Sequence, residues 1–249
     1  MDKLLSNTQT GFSDIKESYE RICADIKKAM ADAGRTDDVR LMAVTKTVDP
    51  ERVNHAIDLG VSLLGENRVQ EFLDKRDSYK NAEVHFIGGL QTNKVKYIID
   101  KVTMIHSVDS VRLAQEISHR AAQHGRVMDI LVEVNIGEEE TKGGISAQGV
   151  RDFCNEVLTL PNIRLRGLMT IPPPWCNEEV FAAMQKLFEG IKADPLPNSS
   201  EENFKFDTLS MGMSGDYATA IKYGSTIIRI GSGLFGYRQY TTGISEKLV

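Results

Sequence analysis

Leu41-Met42-Ala43-Val44-Thr45-Lys46-Thr47 is the stretch that decides how this chain is read. An unbroken apolar run ends in a single lysine. Val44 and the two threonines favour extended backbone. Apolar residues without polar alternation predict a strand covered on both faces, as in a parallel sheet. Lys46 then stands at the carboxyl end of that strand, where parallel α/β proteins gather their chemistry. A lysine at such a place can attack a carbonyl as a free amine. Position alone fits an ordinary surface lysine equally well, so the surrounding sequence has to discriminate.

Upstream, Ile15, Tyr19, Ile22, Ile26 and Met30 recur at helical spacing and Gly34 follows as a stop, which predicts an amphipathic helix over 13–33. Downstream, strands are expected over 61–65, 84–88, 102–106, 130–135, 163–169, 208–210 and 226–230. Between and after them, helices are expected over 50–59, 68–79, 94–100, 110–124, 147–158, 178–192 and 216–223. Strict alternation of this kind implies a parallel sheet with helical crossovers, an α/β fold. Eight such units favour closure into a (β/α)8 TIM barrel, which typically takes about 250 residues, and the chain has 249. No GxGxxG follows the first strand, which weakens a dinucleotide-binding reading. With no break in composition, one domain is expected over 1–249, the barrel itself running over 39–238.

Bulk properties narrow the function classes. A net charge of −5 does not suggest a broad nucleic-acid-binding surface. No apolar run approaches the roughly 20 residues of a membrane span. The start, Met1-Asp2-Lys3-Leu4-Leu5, leads into a polar segment without a signal-peptide core. Cys23, Cys154 and Cys176 lie far apart and form no CxxC pair, so neither a disulfide framework nor a zinc site is indicated. A monomer in a reducing cytoplasm is the expectation.

A barrel sets its working residues on the strand ends and the loops that follow. Those positions carry Lys46, then Gly65-Glu66-Asn67-Arg68, Gly88-Gly89-Leu90-Gln91-Thr92-Asn93-Lys94, Asn135, Met169-Thr170, Ser210-Met211-Gly212-Met213-Ser214-Gly215-Asp216 and Arg229-Ile230-Gly231-Ser232-Gly233. The last two loops are rich in glycine and serine and lead toward helix starts. Loops of that kind expose backbone N–H groups to an anion, and barrels often bind phosphate there. Ser214 and Ser232 would add hydroxyl donors, although Ser214 also fits an N-cap of the following helix. A phosphate cradle together with a strand-end lysine admits two chemistries. One is a class I aldolase acting on a phosphorylated sugar. The other is pyridoxal 5′-phosphate held through the lysine amine.

Several segments in register separate these. Ala43-Val44-Thr45-Lys46-Thr47, Gly65-Glu66-Asn67-Arg68-Val69-Gln70-Glu71, His85-Phe86-Ile87-Gly88-Gly89-Leu90-Gln91-Thr92-Asn93-Lys94, Gly167-Leu168-Met169-Thr170, the loop 209–216 and Ile228-Arg229-Ile230-Gly231-Ser232 resemble the pyridoxal-phosphate homeostasis protein family. The resemblance spans residues 13–238. It implies a barrel like the N-terminal domain of alanine racemase with pyridoxal 5′-phosphate as cofactor. In it Lys46 matches the lysine that forms an imine with the cofactor aldehyde. Ser214, Gly231 and Ser232 match phosphate-binding positions, and Arg229 the residue facing the pyridine nitrogen. Asn67, His85, Met169 and Met211 match positions lining the pocket. The implied role is a non-enzymatic carrier that stores, buffers and delivers the cofactor to pyridoxal-phosphate-dependent apoenzymes. The alternative is an amino-acid racemase of low activity on the same cofactor.

Arg229 bears on that choice, because a guanidinium donates and never accepts. A pyridine nitrogen facing it stays unprotonated and makes a poorer electron sink. Alanine racemase tolerates this pairing but adds a second base from another domain, which is expected to be missing here because the chain ends soon after Tyr240. Gly89 stands where many relatives carry His or Pro, and Ser232 replaces the commoner threonine while keeping the hydroxyl. Lys142 is read as a solvated loop lysine ahead of a secondary lysine for the cofactor. His55, His106, His119 and His124 are read as structural or surface residues.

Overall fold

The structure is a computed structural model describing residues 12–137, 139, 143–173 and 178–236. Helix α1 (Ser13–Asp32) precedes β1 (Arg40–Val44), α2 (Pro50–Asp58), β2 (Leu63–Glu66), α3 (Val69–Lys75) and β3 (Glu83–Phe86). Then come α4 (Val95–Ile98), β4 (Met104–Val108), α5 (Val111–Gln123), β5 (Met128–Asn135), β6 (Ile145–Ser146) and α6 (Val150–Val157). The described chain finishes with β7 (Ile163–Met169), α7 (Glu178–Ala193), β8 (Phe204–Ser210), α8 (Tyr217–Lys222), β9 (Ile227–Ile230) and α9 (Ser232–Phe235).

The strands pair in the order β4-β3-β2-β1-β9-β8-β7-β5, all parallel, and β4 also pairs with β5. That last pairing closes the ring, so eight strands form the expected (β/α)8 barrel. The two-residue β6 adds an edge to β5 that the sequence did not signal. Along β1, Met42 and Val44 pack inward with Leu63, Ile87 and Ile227, while Ala43 packs outward with Leu64, Ile228 and Ile230 under the helices. Both faces of the strand are therefore apolar, which is why its sequence shows no alternation.

The first strand stops at Val44, two residues short of the lysine. Thr45 starts a turn closed by the Val48 N–H on the Thr45 carbonyl at 3.1 Å. Thr47 takes φ of 60°, which no strand can accommodate. The helix expected over 94–100 is a 3₁₀ turn, Thr92–Lys94, leading into the single turn α4.

Helix α1 does more than cap an end. Ile15, Ile22 and Ile26 are buried, each contributing about 2 kcal/mol of apolar burial. The helix lies against α2, α8 and α9. Its Arg21 donates to the Gly233 carbonyl at 3.2 Å. Asp14 pairs at 2.7 Å with Arg52, which also donates to the Phe235 carbonyl at 2.9 Å. The leading helix thus ties down both ends of α9. At the opposite, N-terminal rim of the barrel, Asp129 bridges Arg164 and Arg166, and Arg166 reaches on to Asp207.

Candidate functional site

The turn carrying Lys46 is clamped from the helix side. The Thr45 hydroxyl donates to Glu66 Oε1 at 2.6 Å, and the Tyr79 hydroxyl donates to the same oxygen at 2.7 Å. The Thr47 N–H is taken by the Glu71 carboxylate. Lys75 spans the set, donating to Glu71 Oε1 at 2.5 Å and to the Val48 carbonyl at 2.8 Å. Burial pushes the Glu66 carboxyl above its ordinary range, against the two hydroxyls that hold it. A residue in left-handed backbone costs about 1–3 kcal/mol, and the Glu71 contact is what holds Thr47 there.

Beside Lys46 opens a cleft of about 530 Å³ at the carboxyl ends of the strands. Lys46, Asn67, Ser214, Arg229, Gly231 and Ser232 all line it. These six of the nine sequence-predicted positions come from β9, the loops that follow β1, β2, β8 and β9, and the first residue of α9. Val44, Ile87, Ile171 and Met213 add apolar wall. Ile171 was not signalled by the sequence; its only sign was its place just past the end of β7. The remaining three predicted positions lie elsewhere. Met211 is fully buried in the outer core, because Ser210 before it takes the inward position. Met169 packs below the cleft with Met104 and Leu131. His85 is fully buried within the barrel. Lys142 lies outside the described residues.

The polar side of the cleft is tightly organised. The Ser214 hydroxyl accepts the Gly233 N–H at 3.1 Å and so joins the loop after β8 to α9. It does not cap α8, whose preceding residue is Asp216; that carboxylate accepts the Met213 N–H at 2.5 Å. Arg229 is buried, donates to Ser210 Oγ at 2.8 Å and to the Thr170 carbonyl at 2.7 Å, and is pushed down to about 10 by burial. Asn67 sits where the end of β3 presses on it: a Cβ on Gly88 would lie 2.1 Å from the Asn67 carbonyl oxygen. Its own side-chain Oδ1 is buried and has no hydrogen-bond donor among the described residues. Glu133 on β5 is pushed up to about 7, by burial first and by Asp109 second, against the pull of Arg229.

The sequence model of the alanine racemase N-terminal domain matches residues 18–239. The pyridoxal phosphate homeostasis protein of Aquifex aeolicus is 46% identical over 228 residues, covering 90% of this chain and 98% of that protein. This chain belongs to the pyridoxal phosphate homeostasis protein family. Among solved structures, an unknown protein from Bifidobacterium adolescentis superposes with a TM-score of 0.83 at 36% identity, over 90% of this chain and 95% of that one. PipY of Synechococcus elongatus PCC7942, solved with pyridoxal phosphate bound, superposes with a TM-score of 0.74 at 27% identity, over 89% of this chain and all (100%) of that one. The homeostasis-protein family therefore accounts for nearly the whole chain.

Proposed function

We propose that this protein binds pyridoxal 5′-phosphate in the Lys46 cleft and serves as a non-catalytic store that buffers the cofactor and passes it to apoenzymes. The observation that carries this reading is one cleft lined together by Lys46, Arg229 and the two Gly/Ser loops. Its size falls within the roughly 300–1,000 Å³ of small-molecule sites. The unsatisfied Asn67 Oδ1 offers an acceptor to a ligand hydroxyl or N–H. The curated relative named for pyridoxal phosphate homeostasis and the cofactor bound in PipY support the same group.

The cofactor would supply an aldehyde, a ring and a phosphate. Lys46 would hold it through the side-chain amine. Ser214, Gly231 and Ser232 would bind the phosphate through hydroxyl and backbone N–H groups. Arg229 offers only donors, which keeps any ring nitrogen set against it unprotonated and withholds the electron sink that carbanion chemistry needs. That argues for carriage over turnover. The chain is read as one barrel unit acting as a cytoplasmic monomer.

The test is direct. Purified protein incubated with pyridoxal phosphate turns yellow, and borohydride reduction followed by peptide mapping places the tag on Lys46. Mixed with an apoenzyme, the loaded protein restores that enzyme's activity. Colourless protein, or a tag elsewhere, defeats the reading. The family's likeness to alanine racemase keeps one rival in view. D-amino acid accumulating from the L-isomer above the Lys46→Ala background, followed by chiral chromatography, would establish a racemase instead.

A further inference from the structure

Arg229 is held from behind by a line of side chains that crosses the barrel interior. Arg229 Nη1 lies 2.8 Å from Ser210 Oγ, Ser210 Oγ 3.1 Å from His106 Nδ1, and His106 Nε2 2.9 Å from His85 Nδ1. His85 Nε2 lies 2.8 Å from Glu83 Oε1, and Glu83 Oε2 lies 2.5 Å from Arg40 Nη2. Ser210 and both imidazoles are fully buried. The line starts on β9 at the cleft and ends on β3 and β1 at the opposite rim.

Chemistry fixes the direction of every link. A guanidinium only donates, so Ser210 Oγ accepts from Arg229 and has its own proton to offer to His106 Nδ1. A neutral His106 then carries hydrogen on Nε2 and donates to His85 Nδ1. His85 likewise carries hydrogen on Nε2 and donates to the Glu83 carboxylate. Starting from Glu83 gives the same answer, since the opposite tautomers would set a bare imidazole nitrogen against a carboxylate oxygen. The charged groups facing the pair are Glu83, Arg40, Asp129 and Arg229. Burial, opposed at His85 by Glu83, holds both imidazoles below their ordinary value, in keeping with neutral rings.

We propose that Glu83, His85, His106 and Ser210 form a positioning relay that fixes the Arg229 guanidinium toward the cleft and couples it to a carboxylate at the far end of the barrel. None of the four lines the cleft. All bond dipoles run one way, with lone pairs toward Arg229 and protons toward Glu83, so the line stabilises positive charge at one end and negative charge at the other. His85 accordingly acts through Arg229 rather than as a pocket wall, and His106 gains a role beyond filling the core. The link to cofactor binding rests on the function proposed above; the relay's own geometry does not.

Two experiments test it. In the full chain without added cofactor, long-range ¹H–¹⁵N spectra, assigned with His85→Gln and His106→Gln, should show both residues as neutral Nε2–H tautomers at neutral pH. Either residue charged, or carrying its hydrogen on Nδ1, would overturn the relay. In the second, pyridoxal phosphate binding is titrated by visible absorbance. His106→Gln keeps an acceptor and a donor in the same order and should stay within about twofold of wild type. His106→Leu and Ser210→Ala each break the line and should weaken binding about tenfold, the worth of one hydrogen bond to a charged group, with a shifted absorption band. Folded Leu and Ala variants with wild-type affinity and spectrum would refute the relay. Wild type that fails to bind would instead refute the proposed function, and the tautomer result would still decide the relay.

Discussion

Lys46 and Glu133 make opposite kinds of prediction. Lys46 sits in a turn whose contacts run through Thr45, Thr47 and Val48, so shortening its side chain leaves the turn's own hydrogen bonds in place. Lys46→Ala should therefore still fold, lose the visible band and the borohydride tag, and retain some cofactor through the serine loops. Equilibrium dialysis with absorbance measures this, and complete loss of binding would mean that those loops hold no phosphate. Glu133 speaks through pH. Its carboxyl, ordinarily near 4.5, is pushed up to about 7 in the folded protein. An acid raised in this way binds its proton more tightly when folded, so its contribution to stability falls as pH climbs from 4.5 to about 7 and is level on either side. The full swing is about 3 kcal/mol. Glu133→Gln should lack this contribution and gain on wild type as pH rises toward 7, as urea unfolding of both at pH values across that window would show. A wild-type minus Glu133→Gln difference that does not change with pH across that window would contradict the placement of Glu133. Neither consequence could be read from the sequence. A strand-end lysine is visible in one dimension, but the burial and the Asp109 neighbour that shift Glu133 come from packing.

At the scale of elements, the site depends on how closely the end of β3 approaches the residue after β2. The Gly88 position admits no side chain, since a Cβ there would meet the Asn67 backbone at 2.1 Å, whereas a Cβ on neighbouring Gly89 would meet nothing within 4 Å. Gly88→Ala should cost about 3 kcal/mol through forced backbone displacement and weaken cofactor binding by moving Asn67. Gly89→Ala should change stability by less than about 0.5 kcal/mol. Paired urea titrations compare them, and equal effects would mean that the β3 loop is not pressed against Asn67. The same loop shows what a sequence discloses about elements. Gly88-Gly89 announced a turn, and the strand before it was legible, but which glycine touches the neighbouring strand depends on register. Register also moved Met211 out of the cleft. Its neighbour Ser210 closes β8 facing inward, and a one-residue step sends the next side chain to the outer core. The relay residues were hidden for a related reason: Glu83, His85, His106, Ser210 and Arg229 belong to four strands and meet only when the barrel closes.

Across the whole molecule the two ends of the barrel carry different loads. The carboxyl end holds a cleft with a buried guanidinium, a strained Thr47 and an unsatisfied Asn67 oxygen. The amino end is ionically saturated: Asp129 takes Arg164 at 2.7 Å and Arg166 at 2.5 Å, and Arg166 also takes Asp207 at 2.8 Å. The Asp129 side chain is only 10% exposed, so the pairing is screened little by solvent. Substituting Asp129→Asn turns one acceptor into an amide N–H that faces an arginine donor. Breaking one side of a largely buried ion pair costs about 3–5 kcal/mol, and the partial exposure of Arg164, 39%, brings the expectation to the lower end. The variant should unfold at lower urea concentration while binding pyridoxal phosphate within about twofold of wild type. The reasoning turns on distance along the strands, since Asp129 is the second residue of β5 and the cleft lies past the far strand ends. Were affinity to fall in step with stability, the two ends would not be separable, and the relay through Glu83 and Arg40 would be the route to examine, because Arg40 and Asp129 border the same cavity at the amino end.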